Sequence, residues 1–577
     1  MSSAENSVDR MPMTRSAHHL NTSIDQPTTR SQANVILSAF TVIILLFTTT
    51  AGCLDDVTLP WDDEDDRKTN EFTYYTAAAP RTLDPAVAYD DVSLSIVNNL
   101  YDRLYTYQSE TGDDLVPQIA KGKWIMDDEV TYRVHMQDDQ KFASGRTITA
   151  YDVEYSITRV LKMDQAPSWM LRQILDESGI EFGDYNFDGI QDVKFTLNAP
   201  YSGFPHILAF SVCSIVDKQV VEANGGVVAG QENLWMKTNS AGSGPYKVSN
   251  WDVTSNKVSL SRNGNYRLGW GGKHLEKIVF KVEPSETIRM ERIKGDNADM
   301  ADIPISLLGN LTEETSIRVD IRDTMSVVFI GFNTDKAPFD DIHVRKAFSF
   351  AFNYNVMMAS ILEGKYGDRL HGPIPDNVDG YASNLANKFF YDPGSALDHF
   401  REAGYTVEDG KVTDFPDLTF HLPSNMSVMG RIMFQLKKDL AEVGIEVDIQ
   451  YTTIAAYNTG LEQGAYPVFL AGWSADYADP DDFVYPLLHS ESSNLSISNL
   501  ARYMNGSVDE LILDGKETTS PSDRKVIYRD IQNAVNGDVP YIWLYQPKAI
   551  SVLKSDVTGF NRHPILGTNY YDVTITT

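Results

Sequence analysis

Residues 472–483, GWSADYADPDDF, set four aspartates among a Trp and a Tyr directly after the apolar run YPVFLA. Carboxylates crowded in this way suit three kinds of chemistry: general acid–base catalysis, metal ligation, or the grip of a cation. A second acidic loop, DYNFDGIQD, places Asp184, Asn186 and Asp188 at alternate positions, then Gly189 and Asp192. That is the oxygen-ligand spacing and sharp glycine turn of calcium loops. An EF-hand needs a Glu three residues beyond Asp192, and Phe195 stands there. Two expectations stay open for this loop, a short structural calcium turn and a metal-free hairpin turn rich in Asp, Asn and Gly.

The spacings that carry other chemistry are missing. The chain has no G-x-x-x-x-G-K-[ST] phosphate loop, no H-E-x-x-H helix and no G-x-S-x-G elbow. AGSGPY has two glycines but puts Pro245 where a dinucleotide-binding helix would begin, and reads as a turn. An acidic chain always offers some pair of carboxylates for glycoside cleavage, a signal without specificity. The expectation is a binding protein rather than an enzyme, with no cofactor beyond the calcium option.

The elements that would position these loops are mixed helix and strand. In TAYDVEYSITRVLK, Thr149 precedes Asp152 by three, a capping-box start, and Val153, Ile157, Val160 and Leu161 share one face. RIMFQLKKDLAEVG repeats the pattern with Met433, Leu436, Leu440 and Val443 and stops at Gly444. A strand follows at once, IEVDIQY, with Ile445, Val447, Ile449 and Tyr451 alternating. Near the end SDRKVIYRDIQNAVNGDVPYIWLYQP makes the same helix-to-strand move, with a stripe of Val526, Ile527, Ile531 and Val535. Helix alternating with strand implies an α/β layer.

At 577 residues the chain is too long for one ordinary core. Acids exceed bases by 80 to 49, a net charge of −31, which repels nucleic-acid phosphates and excludes that partner class. The N-terminal stretch ANVILSAFTVIILLFTTTAGC follows a region with Arg10, Arg15 and Arg30, the layout of a secretory signal over residues 1–52. Its ending, TAGC, resembles a lipobox, which would make Cys53 the lipidated first residue of the mature protein; a retained membrane anchor is the alternative. Cys213 is the one other cysteine, so no disulfide framework exists. Residues 53–70 are acid-rich and poor in apolar residues, the composition of a tether.

Several ordered stretches together resemble the solute-binding proteins of ABC importers for oligopeptides, dipeptides and nickel. They are RTLDPAVAYD, the long run from LYDRLYTY to YSITRVL, GSGPYKVSNWDVTSNKVSLSRNGNY, VVFIGFNTDKAPFDDIHVRKAFSFAFNY, YDPGSALDHFREAGY and GWSADYADPDDF. The resemblance implies a two-lobed α/β fold of the periplasmic-binding-protein kind that closes on its solute. The first lobe would be discontinuous (71–110, 236–325 and 536–577), with an inserted domain at 111–235 and a second lobe at 326–535. It further implies an extracytoplasmic, lipid-anchored monomer that captures peptides and delivers them to a permease and its ATPase. Nickel chelates, oligosaccharides and a receptor role without transport remain open, because fold alone does not fix function.

In the peptide-binding members an aspartate matching Asp476 holds the ligand's α-ammonium. Trp473 and Tyr477 either flank the ligand or belong to the core. Asp481 and Asp482 suit the first turn of a helix, where the dipole favours negative charge. In APFDDIHVRKAFSFAFNY, Asp340 or Asp341 caps a helix with Val344, Phe348 and Ala351 inward, and Arg345 and Lys346 are expected to face out or pair with the acids. Members that select very short peptides often hold the far carboxylate with an Arg a little upstream of the helix that precedes the strand leading into GWSADYADPDDF. FPDLTFHLPSNMSVMG has no Arg or Lys, and a longer peptide held by strand-like hydrogen bonds fits better.

Overall fold

Residues 541–554, YIWLYQPKAISVLK, form one strand of 14 residues whose two halves have different partners. This is seen in a computed structural model, which describes residues 70–576 apart from 109–113, 273, 312, 425–426 and 495–497. The anticipated signal, Cys53 and all but the last residue of the tether lie outside the described residues. Among the described residues no helix is long and apolar enough to cross a membrane.

Five strands matter most for the site: β1 (Glu71–Thr76), β2 (Ile317–Asp323), β3 (Ser326–Phe332), β4 (Val468–Ser474) and β5, the long strand itself. They belong to one ten-stranded sheet in which β4, β3 and β5 lie side by side and β5 leads through Met300–Ala301 to β1. Tyr541–Tyr545 pair with β3, while Lys548–Lys554 pair with β2. Every residue from Tyr541 to Gln546 is buried, which explains the unbroken apolar run: both faces of this half are covered. Pro547 stands where the partners change, a place that tolerates a residue with no N–H to donate.

The second crossing between the halves is the Thr324-Met325 link from β2 to β3. The two crossings are tied at one level. Gln546, fully buried, donates to the Thr324 carbonyl (2.6 Å) and to Asn377 Oδ1 (3.1 Å). Its Oε1 accepts the Asp376 N–H (3.0 Å), and the Thr324 hydroxyl donates to the Pro547 carbonyl (2.6 Å). A few element-terminal residues at adjacent crossings are the usual means of hinge rotation. The anticipated first lobe (71–110, 236–325, 536–577) and second lobe (326–535) meet along β5, whose first half is hydrogen-bonded to the second lobe's strands.

Within 111–235 a four-stranded antiparallel sheet, ordered 125–126, 131–135, 192–196, 180–183, carries helix α1 (Ala150–Met163). Thr149 and Asp152 make the expected capping box, and Val153, Ile157 and Val160 are buried. In the second lobe, helix Ser427–Glu442 buries Met433, Leu436 and Leu440, and Val443 follows it into the core. Each such side chain contributes about 1.5–3 kcal/mol. Gly444 ends the turn at φ +94°, where a Cβ would meet the Val412 carbonyl at 2.6 Å, so only glycine fits. Strand Val447–Thr452 then pairs in parallel with Leu418–Pro423.

Two expectations change here. Val526 is exposed, because helix Pro521–Asp538 turns Tyr528, Ile531 and Val535 inward instead. Arg345, on α2 (Ile342–Ala351), is buried rather than outward. Its guanidinium donates to the carbonyls of Asp538 and Val539 at a helix C-terminus and to those of Phe339 and Asp340. Four carbonyl oxygens and the negative end of a helix dipole take its hydrogen bonds, with Asp538, Asp341 and Asp340 near enough to favour its charge.

Candidate ligand-binding site at the lobe junction

Strand β4 ends at Ser474, and the chain then turns through residues 475–480 into α4 (Asp481–Leu488). The turn is fixed by its own acids. Asp482 accepts the Asp476 N–H (2.8 Å), Asp479 accepts the Asp481 N–H (2.9 Å), and the Ala475 N–H reaches the carbonyl of Met325 in the link between β2 and β3 (2.7 Å). Asp481 and Asp482 do occupy the helix's first turn. The four aspartates therefore have four different surroundings.

Asp479 is gripped by Arg524 through two bonds of 2.8 and 3.0 Å. Asp481, fully buried, accepts from the Tyr201 hydroxyl at 2.9 Å, with Lys516 close enough to favour its charge; burial still pushes its pKa upward. Asp482 is fully buried, and burial together with the neighbouring Asp476 charge pushes its pKa well above the carboxylate range. Asp476 is buried as well, and its carboxylate accepts one hydrogen bond, 2.7 Å from the Tyr89 hydroxyl. Among the described residues no Lys, Arg or His pairs with it. Burial raises its pKa to about 7, only partly opposed by the Tyr89 bond.

Three parts of the chain converge on that carboxylate. Tyr89 belongs to the loop after β1, Trp169 comes from the 111–235 region, and Asp476 follows β4. The Trp169 indole N–H donates to the Tyr89 hydroxyl (3.0 Å), and its ring meets the Trp473 ring edge-on at 6.4 Å. Trp473 is thus brought to the same point, 7% exposed. Tyr477 is not: it is fully buried, receiving the Tyr201 hydroxyl (2.9 Å) and facing Asp481 (3.4 Å), so the structure places it in the core. Tyr89 and Trp169 escaped sequence reasoning. Tyr89 lay inside RTLDPAVAYD, where its role had no local sign, and a single Trp in APSWM carries no periodic signal.

The loop carrying Tyr89 has its own brace. Arg159 on α1 forms a two-bonded pair with Asp84, one bond 2.8 Å long, both side chains 1% exposed. Asp84 also accepts the Ala86 N–H (3.0 Å). The pair ties the 82–89 segment to the 111–235 region and sets where the Tyr89 hydroxyl can reach.

The DYNFDGIQD loop joins strands 180–183 and 192–196. Asp184 accepts the backbone N–H groups of Asp188 and Gly189 (3.1 and 3.0 Å). Asp192 is buried against His135 Nδ1 (2.5 Å) and the Asn186 amide (2.8 Å), and Asp188 faces His135 Nε2 at 3.4 Å. The carboxylates are engaged with protein donors rather than aimed at one point. Adding Ca²⁺ to chelator-treated protein is accordingly expected to leave its melting temperature unchanged in a thermal scan; a clear rise would establish a calcium site here.

Comparison with known proteins agrees with this architecture. Residues 114–494 match the family model described as bacterial extracellular solute-binding proteins, family 5, middle. The chain is 28% identical over 499 residues to the "probable D,D-dipeptide-binding periplasmic protein DdpA" of Escherichia coli strain K12, covering 85% of this chain and 91% of that one. It is 26% identical to heme-binding protein A of Haemophilus influenzae, covering 88% and 92%. The fold matches the periplasmic binding protein DppA of Helicobacter pylori, solved with the peptide STSA, at a TM-score of 0.72 with 24% identity, covering 88% and 98%.

Proposed function

Because the chain belongs to the bacterial extracellular solute-binding proteins of family 5, we propose that it captures peptides between its two lobes and delivers them to the permease and ATPase of an ABC importer. The observation that carries this reading is Asp476. A carboxylate buried where three parts of the chain meet, held by one phenol and, among the described residues, no cation, is an electrostatic deficit that a ligand's ammonium would fill. A charge-assisted hydrogen bond of that kind contributes about 1.5–3 kcal/mol. Relatives named for a D,D-dipeptide and solved with a tetrapeptide support a peptide as the source of that ammonium; another relative is named for heme.

The mechanism follows from the hinge and the acid together. A ligand stabilises the closed state by as much as it binds that state better than the open one. Asp476, on the β4 side, meets Tyr89, on the β1 side, across the crossings at Thr324 and Gln546. An ammonium placed between them bonds both sides at once, so ligand affinity and closure become one equilibrium. Arg431 donates to the Ser360 carbonyl (2.7 Å) on its own lobe, in keeping with a ligand whose far end is not fixed by that side chain. Delivery from the outer membrane face, with residues 1–52 as signal and Cys53 as the lipid-bearing residue, belongs to the same proposal, as does a monomeric state.

The test is to expose the full chain to a peptide mixture and identify what it retains by mass spectrometry. Peptides of several residues with free N-termini are expected, and N-acetylated versions of the retained peptides should bind at least tenfold more weakly. Binding should also weaken as pH falls below about 7, because Asp476 must give up its proton before it can pair with an ammonium. Recovery of only sugars or a nickel chelate would overturn the peptide reading.

A further inference from the structure

Away from the lobe junction, two histidines and a glutamate bring donor atoms to one point on the face shared by α2 and α3 (Pro393–Glu402). His343 is the second residue of α2, and His399 and Glu402 lie one turn apart at the end of α3. His343 Nδ1 stands 2.8 Å from Glu402 Oε2, His399 Nδ1 stands 2.7 Å from the same oxygen, and the two ring nitrogens are 3.3 Å apart. The sequence holds each ring in place. The Asp341 carboxylate accepts the His343 N–H (2.7 Å) and fixes the first turn of α2. His399 lies flat on Phe350 of α2, with 5.6 Å between ring centres and 15° between planes.

We propose that His343, His399 and Glu402 bind a divalent first-row transition-metal ion, with Zn²⁺ as the representative. Ligand bonds of about 2.0–2.2 Å in tetrahedral geometry place donor atoms roughly 3.3–3.5 Å apart. The His343–His399 edge of the observed triangle, 3.3 Å, already has that spacing, and the two edges to Glu402, 2.7 and 2.8 Å, need to open by roughly 0.5–0.8 Å, which rotation of the flexible, exposed Glu402 side chain supplies. Without a metal, each imidazole that bonds the Glu402 oxygen does so through an N–H, and when both do, two donors face each other at 3.3 Å. With one, all three groups present lone pairs to a single cation.

Helix electrostatics point the same way. Glu402 is the last residue of α3, where the negative end of the dipole disfavours a carboxylate and a bound cation offsets it. Two imidazoles and one carboxylate suit zinc, nickel or copper rather than calcium or magnesium. Both histidines are half-buried and Glu402 is exposed, so an ion has an open approach and water can complete its coordination. The ion would pin the start of α2 to the end of α3. The site does not depend on the peptide reading, since it shares no residue with the lobe junction.

The experiment uses the full chain, stripped by chelator and titrated with Zn²⁺ alone by calorimetry, with melting temperature as a second readout. The wild-type protein should bind saturably and melt at a higher temperature with zinc. The double variant His343→Ala/His399→Ala should lose one equivalent of zinc and the thermal gain. Glu402→Gln, which keeps the shape of the side chain, should weaken that equivalent at least tenfold. Co²⁺ should give the visible absorption of a four-coordinate N/O site in wild type and not in the double variant. An unchanged zinc stoichiometry and affinity in the double variant would overturn the proposal. If that variant is unfolded by circular dichroism, unchanged zinc affinity in Glu402→Gln overturns it instead. Peptide retention, measured on the same variants, should be unaltered, which keeps failure of this site distinct from failure of the peptide reading.

Discussion

Asp476→Asn is expected to weaken peptide binding at least a hundredfold at pH 8 and, at the same pH, to raise the melting temperature of the ligand-free protein. Both effects have one cause. Asn keeps the shape and still accepts the Tyr89 hydrogen bond, but it brings no charge to a place that now holds a buried, unpaired carboxylate. Losing the charge removes the proposed partner of a ligand ammonium, which would then be buried without compensation, a cost of about 3–5 kcal/mol. The sign of the stability effect follows from linkage. Burial raises the folded-state pKa of Asp476 from 3.8 to about 7, so its favourable contribution is complete below the unfolded value and lost as pH rises through 7. The variant's thermal advantage should therefore be largest near pH 8 and fade toward pH 4. Isothermal titration and thermal scans across that range check both parts. Undiminished affinity in the variant would remove Asp476 from the site, and a pH-independent loss of stability would mean that its role is to hold the turn.

The second large effect is expected at Asp84, far from Asp476 in sequence. Asp84→Ala leaves the Arg159 guanidinium, 1% exposed, without its carboxylate, and should destabilise the protein by about 3–5 kcal/mol in chemical denaturation. Peptide affinity should fall too, because Asp84 braces the segment that delivers Tyr89 to Asp476. A double variant, Asp84→Leu/Arg159→Met, separates the two contributions. Replacing a buried pair with apolar groups of similar volume often restores stability, so the double variant should recover most of it. It should not recover affinity, since the Ala86 N–H bond and the directional tie to α1 are both gone. Full recovery of affinity in the double variant would show that the pair serves stability alone.

Much of the architecture was legible in the residues. The capping box at Thr149 and Asp152, the stop at Gly444 and the helix beginning at Asp481 are local events, decided by side chains bonding their own backbone or by a positive φ that only glycine accepts with ease. The apolar stripes of α1 and of helix 427–442 follow from the 3.6-residue period. Where local reasoning failed, an interaction between distant segments had intervened. Arg345 looked like a surface charge because its four carbonyl partners include two at residues 538 and 539. Val526 looked like a core residue because periodicity gives a stripe without saying which edge of it the neighbours cover.

The candidate site divides along the same line. The sequence by itself determined that an acidic turn follows a buried strand, that its last two acids start a helix, and that the chain resembles solute-binding proteins as an ordered whole. Only the tertiary structure decided which acids lack a cation among the described residues: Asp479 has Arg524, Asp481 has Tyr201 and the field of Lys516, Asp482 has the Asp476 N–H, and Asp476 has a single phenol. It also moved Tyr477 into the core and brought in Tyr89 and Trp169, and it gathered His343, His399 and Glu402 from two helices. The physical reason is range. Caps, turns and periodic faces are set within a few residues, whereas the charge state of a carboxylate depends on burial and on partners that the fold alone brings to it.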